Sequence, residues 1–162
     1  MTQPRKNVPA LIKAARKYGF ELKLVGNKGN AESEAKLRTL IGDDKNIELL
    51  GFVSDEELVS LYNRAKVFAL PSLNEGVGLV ALEAAIHGCN IVITNLGGPK
   101  EYYNKEMVEL VNPYDIDDIG KAIVRAMEDC RSQPSLREEL KKKYNVSSCV
   151  DQLIESYQKI LS

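Results

Sequence analysis

Short apolar runs and longer amphipathic stretches alternate along this chain. Val8, Leu11, Ile12 and Ala15 recur with the period of a helix. Asn7 stands where an N-cap would, and Pro9 falls in the first turn, where its missing N–H is harmless. Lys13, Arg16 and Lys17 load the C-terminal end, and Gly19 stops the helix. Phe20 to Val25 alternates and predicts a strand. Asn30 predicts the cap of a helix through Ile41, with Glu34 and Arg38 paired on one face and Gly42 after it. Ile47 to Leu50 predicts a second strand, ending at Gly51-Phe52. Ser54 and Glu57 have capping-box spacing for a helix carrying Leu58, Leu61, Tyr62 and Ala65. Val67-Phe68-Ala69-Leu70 is an apolar run of the kind buried in parallel sheets.

The alternation continues to the end. A helix follows Gly78, then a strand over Asn90 to Thr94 and a short strand over Val108 to Val111. Asp115 or Asp117 opens a helix with Ile116, Ile119, Ile123 and Met127 inward. Ser135 with Glu138, and Ser148 with Asp151, predict caps for the last two helices. Leu153, Ile154, Tyr157, Ile160 and Leu161 line the apolar face of the final one. Strands alternating with helices predict an α/β fold, a Rossmann-like open parallel sheet with helices on both faces. Such domains normally begin with a strand, whereas this chain opens in the loop before its first helix. The expectation is therefore that residues 1–162 are one domain of a longer protein, with the first strand missing.

Composition narrows the function classes. The 162 residues suffice for one domain with its own core, and 44% hydrophobic with 28% charged residues is ordinary for a soluble globular chain. A net charge of -1 supplies no basic field for nucleic acid or an anionic membrane. No apolar run approaches the ~20 residues of a membrane span, and the N-terminus lacks the apolar region of a signal peptide. Cys89, Cys130 and Cys149 are far apart and odd in number, without metal or redox spacing, so a reduced, cytoplasmic setting is expected. The single histidine, His87, has no partner pattern for a zinc site or a catalytic triad and reads as a helix C-terminal residue.

The most informative stretch runs from Pro71 to Gly88. Gly76 and Gly78 allow a tight turn between the strand at Val67 and the next helix. Glu83 interrupts an otherwise apolar or small helix, where an acid is costly unless paired. Glu75 lies eight residues earlier, so two carboxylates flank a helix N-terminus suited to an anion. By these residues alone, an ordinary glycine turn and a satisfied structural acid serve as well. Gly76-Val77-Gly78 lacks the third glycine of the dinucleotide fingerprint, and the Gly-Lys-Ser/Thr of a phosphate loop is absent.

The pattern of Ser72, Glu75, Gly76, Gly78, Leu79, Glu83, Ala84 and Gly88 resembles the donor-site signature of the retaining nucleotide-sugar glycosyltransferases of GT-B architecture, and the resemblance extends along nearly the whole chain. It implies the C-terminal, donor-binding half of a two-domain enzyme. Lys6 matches the lysine that contacts the donor diphosphate, with Arg5 a weaker candidate; without the resemblance both read as solvated surface charges. Gly76, Val77, Gly78 and Leu79 would present backbone N–H groups to the phosphates, with Val77 where the family usually shows an aromatic. Glu83 matches the acid that accepts hydrogen bonds from the ribose. Glu75 matches the acid near the anomeric carbon, the catalytic candidate, placed to stabilise developing positive charge. Phe52-Val53 would pass near the base, while Tyr62 reads as core. Glu101 matches an acid of the donor loop, or is a solvated acid at a helix start.

The resemblance implies a UDP- or GDP-linked hexose as donor substrate, no cofactor and no metal, and hexosyl transfer to a glycan, lipid or small acceptor. Acceptor groups would belong to a missing N-terminal domain, and any membrane association to the full-length protein. The isolated domain would then be inactive. Epimerases and phosphorylases share the architecture, but the glycine loop fits the transferases better. The competing class is a non-catalytic nucleotide-binding module; the presence of both Glu75 and Glu83 speaks against it.

Overall fold

The computed structural model describes residues 3–103, 106, 108–129, 132–143 and 145–161. A 3-10 turn, Pro4–Lys6, precedes α1 (Val8–Tyr18), β1 (Leu22–Val25), α2 (Ala31–Ile41), β2 (Ile47–Gly51) and α3 (Asp55–Arg64). Then follow β3 (Val67–Leu70), α4 (Leu79–Ile86), β4 (Asn90–Thr94), α5 (Pro99–Tyr102), β5 (Glu109–Val111), α6 (Ile116–Glu128), α7 (Ser132–Lys143) and α8 (Val146–Leu161). Every described strand pairing is parallel. The strands form two pieces, β1-β2 and β3-β4-β5, rather than one continuous sheet.

Two apolar layers sandwich the sheet, as strands buried on both faces require. The first holds Ile12 and Ala15 of α1, Leu24 of β1, Ile47 of β2, and Ile119 and Ile123 of α6, and it joins both sheet pieces. The second lies on the other face of β3-β4-β5, with Tyr62 of α3, Ala81 and Leu82 of α4, Ile91 and Ile93 of β4, and Leu140 of α7. Ile91 and Ile93 face one layer and Val92 the other, and all five residues of β4 are buried. Burying each such isoleucine contributes about 1.5–3 kcal/mol. α1 packs along α6, and α4 along α7.

Three of the predicted helix N-caps are found. Asn30 accepts from Ser33 N–H, Ser54 from Glu57 N–H, and Asp115 from the N–H groups of Asp117 and Asp118. The first strand is shorter than its alternation suggests: Phe20 is buried but precedes β1. Met127 is exposed, because Ala122, Ile123 and Ala126 already fill the inward face of α6. Asn145, not Ser148, caps α8: its side-chain oxygen accepts from Ser148 N–H, which lies inside the helix. α7 already begins at Ser132, so Ser135 lies within the helix and does not cap it; its side chain, that of Cys149 and all of Cys130 lie outside the described residues. Val150, Leu153, Ile154 and Tyr157 of α8 are exposed, and the side chains of Ile160 and Leu161 lie outside the described residues. No described helix is long and apolar enough to cross a membrane.

Candidate functional site

The carboxyl end of β3 feeds a buried turn. Pro71 and Ser72 are fully buried, and Glu75 retains 9% exposure. A second loop, between β4 and α5, lies directly against it. Glu75 forms a bridge with Gly97, and Gly98 N–H donates to the Glu75 carbonyl at 3.0 Å. A β-carbon on Gly98 would stand 2.4 Å from the Gly76 carbonyl oxygen, which is why glycine is needed there.

Gly78 adopts φ +77° and caps α4 without any side-chain cap bond. Its carbonyl accepts from Ala81 N–H at 2.8 Å and from the buried Tyr103 hydroxyl at 2.9 Å. Leu79 is 66% exposed, so the first turn of α4 opens to solvent. Ahead of it the helix directs partial positive charge outward.

The opposite end of the sequence completes the site. Lys6 Nζ donates to Glu75 Oε2 at 2.7 Å, and Ser72 Oγ donates to the same oxygen at 3.1 Å. Arg5 Nη1 lies 3.9 Å from Glu75 Oε1. Burial pushes the Glu75 carboxyl up, but the Lys6 hydrogen bond and charge, Ser72 and Arg5 together outweigh it and hold the group below the ordinary carboxylate range. Arg5 itself is half exposed, and its carbonyl accepts from Leu73 N–H at 2.6 Å, tying the 3-10 turn to the chain after β3.

Glu83 stands apart from this cluster. It is exposed, so the desolvation argued from its apolar neighbours does not arise: Ala81, Leu82, Ala84 and Ala85 turn inward while Leu79 and Glu83, one turn apart, share the open stripe. Helical side chains tilt toward the N-terminus, which carries Glu83 toward the exposed first turn. Tyr62 is core, as expected; burial, then the Glu83 carboxylate, push its phenol up to about 12. His87 caps the C-terminus of α4, stacks on Tyr62 and pairs through Nδ1 with Asn63. Phe52, just past β2, is 87% exposed. Val77 is half-buried against the second apolar layer, and Glu101 is an exposed acid in the first turn of α5.

The structure therefore brings Lys6, Arg5, Glu75, Gly76, Gly78 and Leu79 to one sheet edge, and leaves Glu83 on the helix beside it. Three contributors have no role at the site in the sequence reading. Ser72 stood in the motif but carried no assignment, although a serine three residues before an acid is its only sequence signal. Tyr103 and Asn7 act across the fold: no local pattern marks Tyr103, and the pattern around Asn7 marks only a helix cap. Among the described residues no group of three or more His, Cys, Asp or Glu could hold a metal ion.

A cation, a buried carboxylate and an open helix start can together receive a ligand that carries negative charge beside hydroxyl groups. Comparison with known proteins agrees with that chemistry. Residues 2–144 match the family described as glycosyl transferases group 1. The chain belongs to this family. The serotype-specific mannosyltransferase WbdA of Escherichia coli is 32% identical over 138 residues, covering 80% of this chain and 17% of WbdA. The O-antigen chain mannosyltransferase B of Escherichia coli is 29% identical over 166 residues, covering 96% and 43%. Sucrose-phosphate synthase from Thermosynechococcus elongatus superposes with a TM-score of 0.81 at 25% identity, over 99% of this chain and 43% of that one. HepE of Anabaena, solved in complex with UDP, superposes with a TM-score of 0.82 at 21% identity over 98% and 46%. The fold class expected from the sequence, a parallel α/β sheet flanked by helices as in GT-B glycosyltransferases, is the one observed. The chain spans less than half the length of each of these proteins.

Proposed function

We propose that this domain holds the nucleoside diphosphate of a UDP- or GDP-linked hexose and, within a longer protein, directs retaining transfer of the hexose to a glycan, lipid or small acceptor. The observation that carries the reading is the Lys6–Glu75 contact of 2.7 Å beside the uncapped, exposed start of α4. Residues 69 positions apart meet where a diphosphate would find an ammonium and free backbone N–H groups.

In this reading Lys6, with Arg5 behind it, neutralises the diphosphate. The N–H groups of Gly76, Val77, Gly78 and Leu79 face its oxygens, and no metal ion is called for. Lys6 then leaves Glu75 in part, and the carboxylate turns to the sugar near the anomeric carbon. Glu83, on the open stripe of α4, accepts from the ribose hydroxyls. Phe52 offers an exposed ring to the base. UDP bound to HepE and the mannosyl and O-antigen chemistry named for the Escherichia coli relatives support a nucleotide-linked hexose and a role in polysaccharide assembly. An acceptor-binding domain is the expected partner.

Calorimetric titration of the 162-residue chain with UDP and with GDP tests the reading. Saturable binding of one of them, weakened roughly tenfold or more by Lys6→Met, is the expected result for loss of a charge-assisted contact. Absence of binding to both nucleotides overturns it.

A further inference from the structure

Asn7 occupies the position of an N-cap, and its carbonyl accepts from Ala10 N–H at 3.1 Å, but its side chain does not cap the helix. It adopts φ 54° and ψ 35°, whereas a cap residue is extended, and it makes no side-chain bond to the first turn of α1. It is the one non-glycine residue with positive φ among those described, a conformation that asparagine tolerates better than most residues. Its side chain turns across the sheet edge instead. Nδ2 donates to the Pro71 carbonyl at 3.1 Å and to the Pro113 carbonyl at 2.7 Å.

That orientation follows from chemistry, because an amide oxygen facing two carbonyl oxygens would be repelled. Pro71 follows β3 and Pro113 follows β5, the two strands that flank β4. Both prolines are fully buried, so their carbonyls have little recourse to water. Asn7 thus uses both amide hydrogens to clip the chain to two strand ends. Lys6, its neighbour, is delivered to Glu75 as a result. The second tether, Leu73 N–H to the Arg5 carbonyl, holds the other side of Lys6.

We propose that Asn7 is a positioning residue: its left-handed backbone and paired amide donation fix Lys6 against Glu75 in the unliganded chain. The consequence for ligand capture rests on the donor-site reading above; the positioning itself does not. A lysine side chain otherwise loses much rotamer freedom when held to one partner, and a rigid backbone anchor reduces what remains to be ordered. No residue substitutes fully for Asn7 here. Glycine keeps the backbone conformation without the clip, and aspartate places an acceptor against two acceptors.

The test reads the Glu75 carboxyl directly, by carbon-detected NMR titration of the full chain without ligand. The groups facing that carboxyl are Lys6, Arg5 and Ser72. Asn7→Gly is compared with wild type and with Lys6→Met, which sets the limit for complete loss of the ammonium. The expected result is a folded Asn7→Gly chain whose Glu75 titrates higher than wild type, toward the Lys6→Met value. UDP or GDP affinity should fall in parallel, roughly threefold to tenfold. An unchanged Glu75 titration in folded Asn7→Gly overturns the proposal, even with a lowered melting temperature, because a purely structural clip predicts that pair of results. Wild-type hydrogen exchange decides if the variant does not fold: slow exchange of both Asn7 side-chain hydrogens supports the clip, and free exchange overturns it. If wild type binds neither nucleotide, the donor reading fails while the Glu75 titration still judges Asn7.

Discussion

Gly97 lies so close to Glu75 that a β-carbon on it would stand 2.1 Å from the Glu75 carbonyl oxygen. The loop after β4 is thus moulded on the loop after β3, and Gly97 also holds φ +83°. Both conditions select glycine, one by space and one by backbone conformation.

Gly97→Ala should therefore damage the site more than the fold. The added methyl must displace the Glu75 backbone, and with it the carboxylate that meets Lys6. We expect a cooperative melt with a loss of about 1–3 kcal/mol and a nucleotide affinity reduced well beyond what that stability change explains. Thermal unfolding and UDP or GDP titration on one preparation measure both. Undiminished affinity would show that the two loops do not set the site together.

Glu83 and Glu75 should separate in binding. Glu83→Gln is expected to weaken UDP or GDP binding by ~1–3 kcal/mol, the range of a charge-assisted bond to the ribose. Because Glu83 is exposed, its melting temperature should stay near wild type. Glu75→Gln should barely change affinity for the free nucleotide, whose sugar partner is absent, and should lower turnover in the full-length protein. Full nucleotide affinity in folded Glu83→Gln would remove the ribose role.

Acid should expose the Lys6–Glu75 pair. The folded Glu75 carboxyl sits below its ordinary value, so its contribution to stability is fully present above that value. It is lost as pH falls through the depressed folded value. Lys6→Met removes the ammonium while Ser72 and Arg5 remain. It should lower stability at neutral pH by about 1–3 kcal/mol and flatten the dependence on pH in the acid range. Chemical denaturation of both chains from neutral to strongly acidic buffer follows the difference, and parallel curves would contradict the assignment.

The packing of α1 on α6 offers a test remote from the site. Tyr18 lies over Gly120, where a β-carbon would stand 2.2 Å from the ring, and its hydroxyl donates to Asp117 Oδ1 at 2.9 Å. Gly120→Ala should destabilise despite the ~1 kcal/mol that alanine gains over glycine inside a helix, because overpacking costs ~1–3 kcal/mol and the Tyr18 bond is lost. Combining it with Tyr18→Ala should recover much of the clash. Strictly additive effects in the double variant would mean that the ring and the glycine do not meet.

Transfer should require more than this domain. The purified chain is expected to bind nucleotide and to move no hexose from a nucleotide sugar to an acceptor beyond slow hydrolysis. Radiolabelled donor with a panel of glycan and lipid acceptors reads this out, and sustained transfer by the chain alone would refute it.

The sequence by itself determined the elements and the motif. Val8, Leu11, Ile12 and Ala15 are all buried as their period requires, Asn30 and Ser54 cap the helices they precede, and the glycines around Glu75 make the turn they imply. Such features depend on residues a few positions apart, and periodicity or local hydrogen bonding decides them. Only the tertiary structure decided that Asn7 spans two strand ends, that Tyr103 pins Gly78, and that Glu83 faces solvent. Each of these turns on what a distant element presents: a carbonyl after β5, a hydroxyl after α5, or the absence of a partner layer over one stripe of α4. An asparagine before a helix has the same local sequence whether it caps that helix or reaches across the sheet. The choice belongs to the carbonyls it meets, and those become neighbours only when the chain has folded.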